Sequence, residues 1–180
     1  PLGGVVKVLQ NLLKEQVSIR DLLAILETLA DWAPMTKDLD ILTEYVRQGL
    51  SRSIVKPYVA PNGTLTAVTL DQSVETAIAE AIQRTDHGSF LAMEPRTVEG
   101  IVQALSRHIE AFANLNSQPV VLASAHVRIH FKRMIDRLVP NLALLSYDEV
   151  SCVIPGTRTL EQLRSNAAAA GLRLPPDERS

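Results

Sequence analysis

At 180 residues and 46% hydrophobic composition the chain can bury a substantial core, which excludes a disordered segment and suits one large domain or two small ones. A formal net charge of −2 supplies no global field that would draw it to nucleic acid or anionic lipid, so partners must be recognised locally. The single cysteine, Cys152, excludes an internal disulfide framework and a cysteine-rich zinc site and fits a reducing compartment.

No apolar run approaches the roughly 18 residues of a membrane span, and the start lacks the charged-then-apolar layout of a signal peptide, so a soluble chain is expected. It opens on Pro1 and enters an amphipathic pattern almost at once, which predicts a piece of something longer. Val5, Val8, Leu9, Leu12 and Leu13 share one helical face behind Gly3-Gly4, and Lys14-Glu15-Gln16 ends it. From Val17 to Pro34 a second helix is expected, with Ser18 as N-cap, Asp21 as a capping-box-like return, and Val17 and Leu22 as a hydrophobic staple. Its core stripe reads as Ile19, Leu22, Leu23, Leu26 and Leu29, leaving Arg20, Asp21, Glu27 and Asp31 as polar positions. Asp38 caps a third helix striped by Leu39, Leu42, Val46 and Leu50, on which Glu44 and Arg47 stand one turn apart. Three short helices with one apolar face each close on one another, predicting a helical subdomain over residues 1–56.

The pattern changes at Pro57. Tyr58-Val59 and Leu65 to Leu70 flank Asn62-Gly63, a hairpin signal. Asp71 caps a helix carrying Val74, Ala77, Ile78, Ala81 and Ile82, and Thr85-Asp-His-Gly88 turns into a strand from Ser89 to Met93. Pro95 starts a helix through Val98, Ile101, Val102, Leu105, Ile109 and Phe112. Pro119 to Ala123 is a continuous apolar strand, Val127, Phe131, Met134, Ile135 and Leu138 a helix face, and Leu142 to Leu145 another strand. Strand, helix, strand, helix, strand implies parallel pairing with right-handed crossovers. The fold class is therefore a mixed α+β/α/β one: a helical subdomain, then an α/β subdomain over 57–150 with a β-hairpin and a mostly parallel sheet flanked by helices. Residues 151–180 form a C-terminal tail in which Leu160, Leu163 and the alanines up to Ala170, closed by Gly171, outline one more marginal or partner-dependent helix.

No catalytic set, phosphate loop, nucleophile elbow or metalloprotease motif is present, and no cofactor is called for. His126 and His130 are spaced as a helical ligand pair but lack an evident third ligand, so two solvated histidines is the plainer reading. Arg128, Lys132, Arg133 and Arg137 read as a solvated helix face; 4% aromatics supply no stacking platform for nucleic acid. Asp86 and His87 are adjacent in a turn and cannot orient each other as a dyad. Asp148 and Glu149 follow a strand at the edge where open α/β sheets bind ligands, though paired acids are also common in surface loops. Cys152 has no evident partner base, and Trp32 reads as packing.

Val8-Leu-Gln-Asn-Leu-Leu-Lys-Glu15, Val17-Ser-Ile-Arg-Asp-Leu22, Ile25-Leu-Glu-Thr-Leu29 and Leu42-Thr-Glu-Tyr-Val-Arg47 closely resemble the cytoplasmic C-terminal region of the FlhA (FHIPEP) family of flagellar type III export-gate proteins, to which the injectisome export-gate proteins are related. Weaker likeness continues through Gly88-Ser-Phe-Leu-Ala-Met-Glu-Pro95, Pro119-Val-Val-Leu122, Val127-Arg128 and Leu144-Leu-Ser-Tyr-Asp-Glu149. The resemblance implies a non-enzymatic scaffold and docking module at the cytoplasmic face of the bacterial inner membrane, with other copies of itself in a nonameric ring, other export-apparatus proteins, export chaperones and substrates as partners. It implies that the membrane helices and the principal chaperone-docking surface precede this stretch. Family members usually finish soon after the last strand, and no role is carried onto the longer tail here. Arg20, Asp21, Glu27, Glu44 and Arg47, charges fixed on well-specified helices, are the candidate subunit or partner contacts; Ser18 and Asp21 as caps, and Glu44 with Arg47 as a local pair, remain the structural alternative. The same role in an injectisome is the near alternative. A ligand-binding or hydrolytic α/β domain, with its site where the strands ending at Ala123 and Tyr147 open, is the distant one.

Overall fold

The computed structural model describes residues 2–85, 88–113, 118–139 and 142–151, without the side chains of 111–113. Four helices come first: α1 (Leu2–Lys14), α2 (Leu22–Trp32), α3 (Leu39–Gly49) and α4 (Ser51–Val55). The first of them closes with a Schellman motif: Val17 N–H reaches the Leu12 carbonyl at 2.9 Å and Gln16 N–H the Leu13 carbonyl at 3.0 Å. Gln16 takes the left-handed conformation this needs, φ 59°, and Val17 is buried beside Leu12 in the helical core.

The second helix starts later than the capping-box reading predicts. Asp21 is its N-cap, accepting from Ala24 N–H at 3.2 Å, while Ser18 Oγ accepts only from Arg20 N–H at 3.4 Å in the preceding extended segment. The buried face is also different: Ile25 and Leu29 enter the core, whereas Leu22, Leu23 and Leu26 are exposed. Leucines surround this helix, so periodicity alone could not choose the face. Asp38 does cap α3, through its Oδ1, to Asp40 N–H at 2.9 Å and Ile41 N–H at 3.3 Å. The helices share one core of Val8, Leu12, Val17, Ile25, Leu29, Leu42, Val46 and Leu50. Asn11 and Thr43 make a buried hydrogen bond of 3.2 Å between α1 and α3.

The chain then passes a 3₁₀ turn, Lys56–Tyr58, and β1 (Val68–Thr69). The expected hairpin at Asn62-Gly63 does not form as paired strands. A tight turn is there, closed by Ala60 N–H to Thr64 O at 2.8 Å with Gly63 at φ 82°, but Tyr58, Val59 and Leu65 pack on the sheet instead of pairing with one another. An isolated two-stranded ribbon is marginal in water, and apolar burial wins. The hairpin lies further on: after α5 (Gln72–Ala81), capped by Asp71, β2 (Ile82–Thr85) and β3 (Gly88–Leu91) pair antiparallel in the register Ile82 to Leu91 and Thr85 to Gly88. Ile82, expected in the helix, opens that hairpin. Asp86 and His87, between its strands, lie outside the described residues, as do Cys152 and the tail.

Next come α6 (Pro95–Ala113), β4 (Val120–Ala123), α7 (Ala125–Ile135), β5 (Ala143–Ser146) and α8 (Tyr147–Ser151). Strands order as β1-β4-β5, all parallel; β4 and β5 pair as the alternating pattern predicts, but the strand expected at Ser89 to Met93 stays outside this sheet in the β2-β3 hairpin, and Val68–Thr69, expected as a hairpin arm, takes the place beside β4. Side chains alternate between faces. Val121, Ala123 and Leu144 join Ile78, Leu105, Val127, Phe131 and Ile135 from α5, α6 and α7. Val120, Leu122 and Leu145 join Val55, Ala67 and Val150 on the other side. Both faces are covered, which is why Val120 to Ala123 is apolar without alternation. No helix among the described residues is long and apolar enough to cross a membrane.

Gly49, at the end of α3, lies against Thr28 of α2. A Cβ there would sit 2.9 Å from Thr28 Oγ1, and Thr28 is short, β-branched and hydrogen-bonded to the Ala24 carbonyl at 2.7 Å, so it cannot swing aside. Gly49→Ala is therefore expected to lower the thermal midpoint, although alanine is favoured over glycine in a helix by about 1 kcal/mol. Adding Thr28→Ala should restore it by more than the sum of the single effects. Calorimetry on the four chains measures that coupling.

Candidate functional site

Where α1 and α3 face α7 and α8, the helical core meets the sheet layer across charges. Glu15 follows the end of α1, Glu44 and Arg47 lie on α3, Arg128 on the first turns of α7 and Glu149 on α8. Arg128 is 0% exposed. Its Nε and Nη2 donate to the two Glu44 oxygens at 2.7 and 2.5 Å, and its Nη1 and Nη2 donate to those of Glu15 at 2.6 and 3.0 Å. One guanidinium thus holds two carboxylates from different helices, a use of the planar fork that lysine could not reproduce. Arg47 Nη1 donates to Glu15 at 3.1 Å, and Arg47 Nε lies 2.8 Å from Glu149 Oε1. That last contact joins opposite charges off the line of a hydrogen bond, and neither atom has a hydrogen-bonding partner among the described residues.

Glu149 is placed by a capping box: Ser146 N–H donates to its Oε2 at 2.8 Å, and its own N–H donates to Ser146 Oγ at 3.1 Å. Three carboxylates face two guanidiniums, and burial sharpens the competition. Burial alone would lift the Glu15 carboxyl, but Arg128 and Arg47, with Lys132 beyond, hold it below its ordinary value of 4.5. For Glu44 burial wins and lifts the carboxyl above that value, Glu149 adding to it and Arg128 opposing. Burial disfavours charge on Arg128 too, yet Glu44 and Glu15 outweigh it and keep the guanidinium protonated.

A second, more open cluster ties α3 to α7 and β3. Arg133 forks onto Asp40 at 2.8 and 2.5 Å, and Ser89 Oγ donates to Asp40 at 3.1 Å with His130 Nε2 3.4 Å away. Burial would raise Asp40, but Arg133 and Ser89 hold it below its ordinary value; burial keeps His130 below its own. Serine, histidine and aspartate meet here in the wrong order for hydrolysis. The hydroxyl donates to the aspartate, and no described carboxylate bonds the imidazole to orient it. At the strand edge where a ligand would enter, Glu75 accepts from Ser124 N–H at 2.8 Å and Ser124 Oγ–H at 2.9 Å, and Tyr147, pushed up to about 12 by burial and Glu75, stays a neutral phenol.

The expected site residues therefore divide. Arg20, Asp21 and Glu27 are exposed on or just before α2. Glu44 and Arg47 face inward, and they pair not with each other but with Arg128, Glu15 and Glu149. Arg128 and Lys132, expected on a solvated face, are buried, Lys132 donating to the Leu142 carbonyl at 3.0 Å; only Arg133 and Arg137 reach the surface. His126 is exposed and His130 buried, and no group of three metal-ligating side chains occurs among the described residues. Trp32, 38% exposed, stacks on Tyr45 with ring centroids 3.9 Å apart. Sequence reasoning missed Glu15, Arg128 and Glu149 as one network. Two signals were available: Ser146-x-x-Glu149 is a capping box, and Arg128 stands between Val127 and Ile129 in a helix apolar on more than one side.

The FHIPEP family model matches residues 1–154. The chain belongs to the FHIPEP family. It is 42% identical over 149 residues to the flagellar biosynthesis protein FlhA of Bacillus subtilis, a match that covers 83% of this chain and 22% of that protein. The Chlamydia pneumoniae CdsV protein superposes with a TM-score of 0.72 at 32% identity, over 87% of this chain and 44% of that one. Nonameric EPEC SctV-C superposes with a TM-score of 0.71 at 37% identity, over 81% and 44%. The chain spans about a fifth of the length of FlhA and less than half of the solved FHIPEP domains it matches.

Truncating one member of a buried ion cluster leaves its partners uncompensated. Arg128→Met should destabilise the chain by about 3–5 kcal/mol in urea unfolding, far more than an exposed pair costs. With acid the signs differ between carboxyls. Glu15 and Asp40 are lowered on folding, so their stabilisation is complete above their ordinary values and is lost as pH falls through the folded ones. Glu44 is raised, so its contribution is fullest in acid and declines as pH rises through 4.5. The thermal midpoint is expected to drop below pH 4.5, and Glu15→Gln should flatten that limb while lowering the midpoint at neutral pH.

Proposed function

We propose that this chain is a cytoplasmic scaffold and docking part of a flagellar type III export gate, assembling with copies of itself in a ring and helping to receive export substrates and their chaperones. The protein it belongs to sits, on this reading, at the cytoplasmic face of the bacterial inner membrane, and the part described acts without catalysis. One observation carries the proposal: a FHIPEP chain presents, on α2 and the segment leading into it, the exposed Arg20, Asp21 and Glu27 interleaved with the exposed Leu22, Leu23 and Leu26. Leu23 is 68% exposed. Apolar side chains ringed by charges are what a specific protein contact uses, the leucines supplying burial and the charges register. Glu44 and Arg47 are committed to the interior, so the subunit contacts fall to Arg20, Asp21 and Glu27.

The flagellar assignment is favoured by the 42% identity to a flagellar relative; an injectisome role is the second reading, favoured by superposition on SctV-C. The residues at the strand edge argue against a hydrolytic role, since Ser124 and Ser146 are engaged by Glu75 and Glu149.

The test is a Bacillus subtilis FlhA chimera in which this chain replaces the matching stretch. The chimera should support swimming. Arg20→Glu with Glu27→Lys should impair ring assembly and swimming, and Leu23→Glu should do so alone, with the melting of the isolated chain unchanged. Unimpaired swimming by both variants would remove α2 from the subunit contact.

A further inference from the structure

The helical core and the sheet layer are joined in two physically different ways. Apolar continuity runs through α4: Ile54 packs against the helical core and against the cluster under the sheet, where Val55 is fully buried. Away from that point the joint is ionic. Arg128 reaches across to Glu15 and Glu44, Arg47 reaches across to Glu149, and Arg133 reaches across to Asp40.

These two kinds of joint respond differently to water. Separating apolar surfaces exposes them at a cost that nothing returns. Separating buried ions loses their attraction but recovers hydration that burial had withheld, so the net cost of opening is small for the area exposed. Buried ion pairs are therefore poor fasteners and good register devices. The contact between Arg47 Nε and Glu149 Oε1 is the least well made of the seam, 2.8 Å apart and out of hydrogen-bonding line.

We propose that the seam is a latch: Arg47 and Arg128 exchange their carboxylates for water together, and the sheet layer swings on Ile54 and Val55 while both cores stay folded. The device belongs to the chain itself and does not depend on ring assembly. It gives the molecule two arrangements, closed in register and open, separated by ion hydration instead of by unfolding.

The 180-residue chain tests this directly. Phenylglyoxal modifies only accessible guanidinium groups, so its rate at Arg128 and Arg47, read by mass spectrometry, reports opening; hydrogen exchange at Val121 and Leu144 reports global unfolding. Opening at the two arginines is expected about tenfold or more as often as global unfolding. Equal frequencies would overturn the latch. Replacing the central pair by apolar residues, Glu44→Leu with Arg128→Met, leaves Arg47 as reporter and should slow its modification about tenfold, because an apolar seam has no hydration to recover. Unchanged or faster modification of Arg47 in a variant whose Val121 amide remains protected would equally overturn it.

Discussion

Arg128 has no exposed surface, and its four hydrogen bonds to carboxylates all lead to the other side of a boundary between two cores. A guanidinium buried in that position keeps its charge without solvent around it, so the surrounding chain must bring acids to it. The Schellman turn at Gln16 ends α1 so that Glu15 is available, and the face of α3 opposite its exposed side supplies Glu44. The placement of α1, α3 and α7 is thus constrained by one side chain, with tolerance set by hydrogen-bond length and direction. Apolar packing would accept a rotation of a helix by a few degrees; a fork bonded to two carboxylates does not.

Arg47 and the capping box of α8 extend this constraint. Ser146 ends β5 and begins α8, and the reciprocal bonds with Glu149 hold its carboxyl where Arg47 meets it. The same carboxylate serves as a helix cap through one oxygen and as a counter-ion through the other. Excess negative charge in the cluster is moderated by Lys132, which lies near Glu15 while bonding to the Leu142 carbonyl and to Asp136. The exposed pair of Arg133 with Asp40 repeats the arrangement closer to water, where its energetic weight is smaller but its effect on the position of β3, through Ser89, is retained.

Much of the architecture was legible from periodicity. The parallel pairing of β4 with β5, the helices around them and the caps at Asp38 and Asp71 follow from local pattern, since a strand buried on both faces reads as a continuous apolar run, whereas the choice of Val68–Thr69 over the 88–91 strand as their third partner does not. What was not legible is the choice between equivalent local solutions. α2 carries leucines on both sides, and only the tertiary partner decides that Ile25 goes in while Leu23 stays out. Asn62-Gly63 specifies a turn, but whether its arms pair or lie on a sheet depends on a surface made by residues 120–145. Charges suffer most. Arg128, Lys132, Arg133 and Arg137 follow one another at helical spacing, yet the first two are buried and the last two are not, because α7 has packing neighbours on two sides over its first turns and fewer at its end.

The division of the five candidate charges follows from the same physics. Glu44 and Arg47 come from α3, the helix that touches α1, α2, α7 and α8, so any charge on its inner faces must find an internal counter-ion. Arg20, Asp21 and Glu27 come from the outer margin of α2, which the rest of the described chain leaves uncovered. An interface that uses those outer charges needs their spacing fixed, and the Asp21 cap with the first two turns of α2 fixes it locally. It also needs the sheet layer out of the way or in a defined place, which the seam and the apolar joint at α4 determine together. Inner charges that fix how the layers sit, and outer charges proposed to meet a second copy, are therefore consecutive parts of one requirement: a surface can specify a partner only to the accuracy with which its own supports are held.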